Sequence, residues 1–90
     1  MLTPAERKAL KAKAHKLDPV VHIGAKGLTE EVIAEVDRAL HAHELIKVRA
    51  ASLDRDAREE AFDRIAEKTR AEAVQHIGKV CVLFRKKNDE

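Results

Sequence analysis

The stretch from Val20 to Ala51 constrains the fold most, because it holds a strand, a helix and a second strand in direct succession. Val20-Val21-His22-Ile23 is a short β-branched run and reads as a strand. Gly24-Ala25-Lys26-Gly27 breaks it. Thr29-Glu30-Glu31 then starts a helix, with a capping hydroxyl and acids in the first turn. Val32, Ile33, Val36 and Leu40 give that helix an apolar face to about His43. Glu44 to Ala51 is the second strand. Its alternation puts Ile46, Val48 and Ala50 on one face and Lys47 and Arg49 on the other. Such a unit favours parallel neighbouring strands joined by a right-handed crossover.

The flanking segments fill in the rest. Thr3-Pro4-Ala5-Glu6 is a strong helix start: Thr3 caps, Pro4 suits the first position, and Glu6 completes a capping box. The spacing predicts a helix to about Lys16, with Leu10, Ala14 and Leu17 as its apolar stripe and Leu2 as a staple. Arg7, Lys8, Lys11 and His15 share another face. Asp18-Pro19 closes it, since the residue before proline avoids helical angles. Asp56-Ala57-Arg58-Glu59 resembles a capping box with Asp56 as cap, and Ala61, Phe62, Ile65, Ala66 and Thr69 line the following helix. Val74 to Ile77 and Val80 to Phe84 form a hairpin across Gly78-Lys79. Val80 to Phe84 is apolar on both faces, so it belongs inside the sheet. The expected class is α/β: one compact domain over residues 1–90, in the order α-β-α-β-α-β-β, with three helices on a four-stranded mixed sheet.

Composition narrows function. The chain is 44% hydrophobic and 38% charged, as a folded domain is, yet Phe62 and Phe84 are its only aromatics. Proteins that read splayed bases by stacking usually rely on surface aromatics, so backbone and shape readout is expected of any nucleic-acid binder built this way. One cysteine, Cys81, excludes an internal disulfide and sits in an apolar run, where a buried hydrophobe is expected. No apolar run approaches the roughly 20 residues of a membrane span. The N-terminal basic residues lack the apolar stretch of a signal peptide. A cytoplasmic location is therefore expected. Nothing resembles a coiled-coil seam, so a monomer is expected too.

The net charge of +2 hides a segregation. Residues 1–28 carry a net +4, residues 29–46 a net −4, residues 54–72 a net −2 and residues 73–90 a net +2. Positive charge gathers at both ends and around the first loop. Each cluster alone reads as a solvated face, but clusters that converge in space point to a polyanion. Gly24-Ala25-Lys26-Gly27 carries the sharpest signal. Two glycines before a helix start let backbone approach a phosphate, with Lys26 adding charge. An ordinary tight turn explains the same pattern. Lys47 and Arg49 either face solvent, open to an anion, or bury their stems and extend their heads to water.

Metal and catalytic chemistry find little support. His41 and His43, two apart on a helix, point in different directions, unlike zinc-binding pairs four apart. His22 and His76 have no neighbouring ligand set. No nucleophile motif appears, and the acids lie at caps or on charged faces. No cofactor, no metal and no enzyme activity are expected.

The assembled motifs resemble the YhbY family, the stand-alone bacterial form of the chloroplast RNA splicing and ribosome maturation (CRM) domain. The resemblance covers almost the whole chain. It rests on Leu2-Thr3 before the basic helix, Arg7 and Lys11, the exit from Ala14-His15 through Leu17 to Pro19-Val20-Val21, and Ile23-Gly24 with Gly27-Leu28-Thr29. His43-Glu44-Leu45-Ile46-Lys47-Val48, Val74-Gln75, Ile77-Gly78-Lys79 and Val82-Leu83-Phe84-Arg85 complete it. The resemblance implies a fold similar to the C-terminal domain of translation initiation factor three. It also implies binding to RNA, namely ribosomal RNA of the large-subunit precursor, in ribosome assembly. It would make Gly24, Ala25, Lys26 and Gly27 a backbone clamp, supported by Arg7, Lys11, Lys47 and Arg85. Lys8, His15 and Arg49 join them on the basic faces read above. Where the family commonly ends its third helix with glycine, this chain has Arg70. The alternative is a protein-interaction module docking on a ribosomal protein or assembly factor through the acidic residues Glu30, Glu31, Glu35 and Asp37.

Overall fold

The computed structural model describes residues 2–87. Its first helix, α1, spans Pro4–Ala14. Glu6 N–H donates to Thr3 Oγ1 at 3.1 Å and Thr3 N–H to Glu6 Oε1 at 3.0 Å, so the capping box forms as expected. α1 ends before Lys16. Lys16 N–H bonds back to Lys13 O and Leu17 N–H to Ala14 O, so the last turn tightens to three-residue spacing. Leu17 is thereby carried out of the stripe and stands 37% exposed.

β1 is Val21–His22, shorter than the run suggested. Its hydrogen bonding still reaches Val20 and Ile23, which donate to Lys47 O and Arg49 O of the next strand at 3.1 and 2.8 Å. α2 covers Glu30–His43 and is capped by Thr29, whose Oγ1 accepts from Val32 N–H at 3.2 Å. β2 is Leu45–Arg49. It is trimmed because Glu44 takes a positive φ of 63° as the cap of α2, and Ala50 already begins the turn to Leu53.

α3 spans Arg55–Thr69 and begins two residues earlier than the sequence reading placed it. Its cap is Asp54, whose Oδ1 accepts from Ala57 N–H at 2.8 Å. Leu53 packs against the core and so sets where the chain turns, which leaves Asp56 inside the first turn. Arg70 ends α3 in left-handed backbone at φ 58°, and Ala71 N–H reaches Ala66 O at 2.9 Å. β3 (Glu72–Ile77) and β4 (Val80–Phe84) form the hairpin, and Gly78 supplies the positive φ of 55° at its tip. β3 starts two residues before Val74 and carries a bulge between Ala73 and Gln75.

The sheet order is β1-β2-β4-β3. β1 and β2 are parallel, as the βαβ reading requires, and β4 runs antiparallel between β2 and β3. The apolar run Val80–Phe84 is interior, as expected. One face packs on α2 and α3 through Val36, Leu40, Ile46, Val48, Phe62, Ile65, Cys81 and Leu83. Fully burying such side chains is worth roughly 1.5–3 kcal/mol each. Among the described residues the other face carries only α1, which seats Ala14 on Leu45, Val74 and Val82, with Leu2, Leu10 and Phe84 around them. One short helix cannot cover four strands. The sheet is therefore bare on this face at the end farthest from Leu45 and Phe84.

Candidate nucleic-acid interface

Strand direction brings three loops to that bare end. β1 and β2 run parallel, so Gly24 and Ala50 leave the sheet on the same side. β4 runs against them and begins there, after the Gly78-Lys79 tip. Ala50 N–H donates to Lys79 O at 2.8 Å, tying two loops together. A methyl group at Gly27 would lie 4.0 Å from Leu53 Cδ2, which places the glycine loop beside the loop that precedes α3.

The glycine loop is a closed turn, with Gly27 N–H donating to Gly24 O at 3.0 Å. Gly27 has φ 75°, a conformation costly for any other residue, whereas Gly24 has ordinary backbone and open space around it. Ala25 and Lys26 are exposed at the tip. Leu28 and Thr29 separate the turn from α2, and Glu30 and Glu31 already occupy the first turn of that helix. Their charges offset its positive end. The cation that marks this loop is thus Lys26 itself, not the helix terminus.

Behind the loop lies the face of β2 that carries Lys47 and Arg49. Arg49 is exposed and Lys47 half-buried, so this face opens to solvent past α1. Lys47, Lys11 and His15 line one recess of about 210 Å³ together with Gln75, Ile77, Val80 and Val82. Among the described residues no acidic side chain lines it. Lys8 is exposed one turn before Lys11, on the same side of α1. By register, the next row across the sheet is His22, Arg49, Val80 and Ile77.

Two of the sequence-predicted cations are used elsewhere. Arg7 donates to Ala73 O at 2.8 Å and Val74 O at 3.4 Å, and its guanidinium stands 3.5 Å from Glu72 Oε2. It anchors α1 to the bulge in β3. Arg85 lies at the opposite end of β4. It donates to Asp37 Oδ1 at 2.6 Å, Asp37 O at 3.1 Å and Thr69 O at 2.8 Å, joining α2 to the end of α3. The sequence reading passed over Lys79 and His22. Both are exposed and reach the bare end only because of strand order, although the hairpin tip was visible in the sequence.

The remaining polar candidates have structural surroundings. Cys81 is 1% exposed, and its thiol is pushed up to about 12 by burial, with Asp63 adding to the effect. His76 meets Phe62 edge to face at 4.9 Å between ring centroids. Among the described residues no three His, Cys, Asp or Glu come together as a metal site. Nor is any described helix long and apolar enough to cross a membrane.

The model of the CRS1 / YhbY (CRM) domain matches residues 2–85. A Haemophilus influenzae protein named as an RNA-binding protein is 45% identical over 84 residues, covering 93% of this chain and 85% of its own length. A Pseudomonas aeruginosa protein, named as a probable RNA-binding protein, is 44% identical over 85 residues, covering 94% and 82%. The solution structure of a Staphylococcus aureus protein described as a candidate RNA binder superposes with a TM-score of 0.84 at 36% identity. The match covers 99% of this chain and 93% of that one.

Proposed function

This chain belongs to the CRS1/YhbY (CRM) domain family, and on that premise we propose that it binds RNA, in particular large-subunit precursor ribosomal RNA during ribosome assembly. The observation that carries this reading is a recess lined by Lys11, His15 and Lys47 and, among the described residues, by no acid, with Arg49 next along the same face of β2 and exposed Lys26 in the loop that leaves the same end of the sheet. A phosphate chain is the ligand that such a surface fits. Gly24, Ala25, Lys26 and Gly27 form a small backbone projection against which one phosphate rests. Lys47 and Arg49 hold the strand as it passes over the sheet. Lys8, Lys11 and His15 border its path from α1. Arg7 and Arg85 serve the interface indirectly, by fixing α1 and the α2–α3 pair in place. The protein acts as a monomer, and binding involves no chemical step.

The test is ultraviolet crosslinking of the tagged protein in its own cells, with sequencing of the attached RNA. Gly24→Asp is the variant to run alongside, because Gly24 tolerates a side chain where Gly27 does not. Sharp peaks in large-subunit ribosomal RNA that fade in Gly24→Asp are expected. Peaks that persist unchanged in a folded Gly24→Asp protein would remove the loop from the interface. Binding to ribosomal RNA fragments in vitro should also weaken as salt rises, and a flat response would sink the phosphate mechanism.

A second reading has its own observation. A groove of about 860 Å³ lies on the other side of α1, where Leu17 and Val20 stand 37% and 49% exposed beside Leu10, Leu45 and Phe84. Such a groove suits a protein partner. A partner complex that survives complete nuclease digestion would favour docking on a ribosomal protein or assembly factor.

A further inference from the structure

The row His22–Arg49–Val80–Ile77 has features that phosphate binding leaves unexplained. Ile77 is 59% exposed on the edge strand β3, and Val80 beside it is only half-buried. A β-branched side chain left open on an edge strand invites nonspecific pairing and is usually replaced by a charge. Here it lies instead in line with a guanidinium and an imidazole, two planar groups that stack on bases. Gln75, in the adjoining recess, offers both a donor and an acceptor. Cations border the apolar centre, and among the described residues no acid lines the recess.

We propose that this bare end of the sheet seats an unstacked nucleobase of single-stranded RNA. Ile77 and Val80 form the floor, Arg49 on the neighbouring strand provides a stacking plane, Gln75 reads the base edge, and His22, one strand beyond Arg49, borders the adjoining nucleotide. The proposal rests on the RNA-binding reading above and adds a base contact to it. Composition alone argued against stacking readout, because Trp and Tyr are absent and both Phe side chains are at least partly buried. The register supplies a substitute by placing aliphatic and planar polar groups in one row. A base is favoured over a peptide by the surrounding positive charge. It is favoured over a duplex because paired bases cannot turn a face toward a sheet.

The experiment measures fluorescence anisotropy with three probes: a short mixed-sequence single-stranded RNA, the same strand made abasic, and a blunt RNA duplex. The intact strand is expected to bind about five- to tenfold more tightly than the abasic one, the low end of stacking effects. Ile77→Ser, at an exposed position, should erase that ratio while leaving the salt dependence unchanged. Lys47→Gln should weaken the intact and abasic strands equally and flatten their salt dependence. Arg49→Gln should lower both the ratio and the salt slope. Equal binding of the intact and abasic strands overturns the base site, as does a ratio that survives Ile77→Ser in a protein with native circular dichroism. Failure of all three probes to bind overturns the RNA-binding reading itself, and the two failures are distinguishable.

Discussion

Arg70 sits in left-handed backbone at φ 58°, ψ 32°, where a side chain is strained and glycine is not. Arg70→Gly relieves that strain and loses only some unfolded-state restriction in return. A gain of about 0.5–1 kcal/mol is expected, read as a higher urea midpoint with an unchanged slope. A lower midpoint would show that the Arg70 side chain contributes more than its backbone costs. Glu44 also has a positive φ, 63°, but differs in kind. Its carbonyl accepts from Arg85 N–H at 2.9 Å and its carboxylate from Lys87 N–H at 2.6 Å, so its side chain helps hold the chain after β4. Cys81 makes a pH prediction. Its folded value is raised to about 12 because burial opposes the thiolate. A raised value means that the contribution to stability is complete below the unfolded thiol's range and is lost as pH rises toward 12. Stability should therefore fall as pH climbs above about 9, and Cys81→Ala should lessen the fall. At neutral pH the native thiol should resist alkylation and react only through unfolding. Rapid labelling of the native protein would contradict its burial.

At the scale of elements, helix starts follow the competition between two possible caps. Asp54 and Asp56 both have the chemistry, and Asp54 wins because the chain turns at Leu53. Asp54→Ala should cost about 1 kcal/mol, and Asp56→Ala only a few tenths through the helix dipole. Thermal unfolding of the two variants checks the assignment, which equal losses would refute. Thr3→Ala should likewise cost about 1 kcal/mol through the capping box. The same box holds the Glu6 carboxyl below its usual range, through hydrogen bonds from the backbone N–H and hydroxyl of Thr3. β1 is a different case. Two residues hold its position only because Val20 and Ile23 add hydrogen bonds at either end, and because Val21 and Ile23 are buried. The glycine loop thus projects from a strand fixed by its flanks.

For the whole molecule, the cations divide between those that hold the fold and those that face solvent. Arg85 gives the sharpest test. With 24% of its side chain exposed and three hydrogen bonds to Asp37 and Thr69, it pins α2 to α3 at the end remote from the glycine loop. Arg85→Ala should destabilise by about 1–3 kcal/mol, the range for hydrogen bonds to a charged group, and leave the salt slope of RNA binding unchanged. Lys47→Gln should do the reverse, lowering the slope by about 0.7 on a single strand with little loss of stability. Titrations at several salt concentrations separate the two, and a reduced slope in Arg85→Ala would bring that residue back into the interface.

Much of this architecture is legible in the sequence. Period-two and period-3.6 patterns named every strand and helix. The βαβ unit required a parallel pair, and the two-sided apolarity of Val80–Phe84 placed that strand inside the sheet. These are local properties, set by backbone sterics and by which side chains avoid water. The candidate site was legible only as parts. Lys47 and Arg49 could be assigned to a face, but whether a helix covers that face depends on where α1 lands. Arg7 and Arg85 looked like the other cations, because sequence shows charge but not the partner 66 or 48 residues away. Residue types determined the elements and the chemistry available. Packing alone decided which charges were consumed in holding the domain together and which were left facing water, because ion pairing and burial depend on distances that only the folded chain defines.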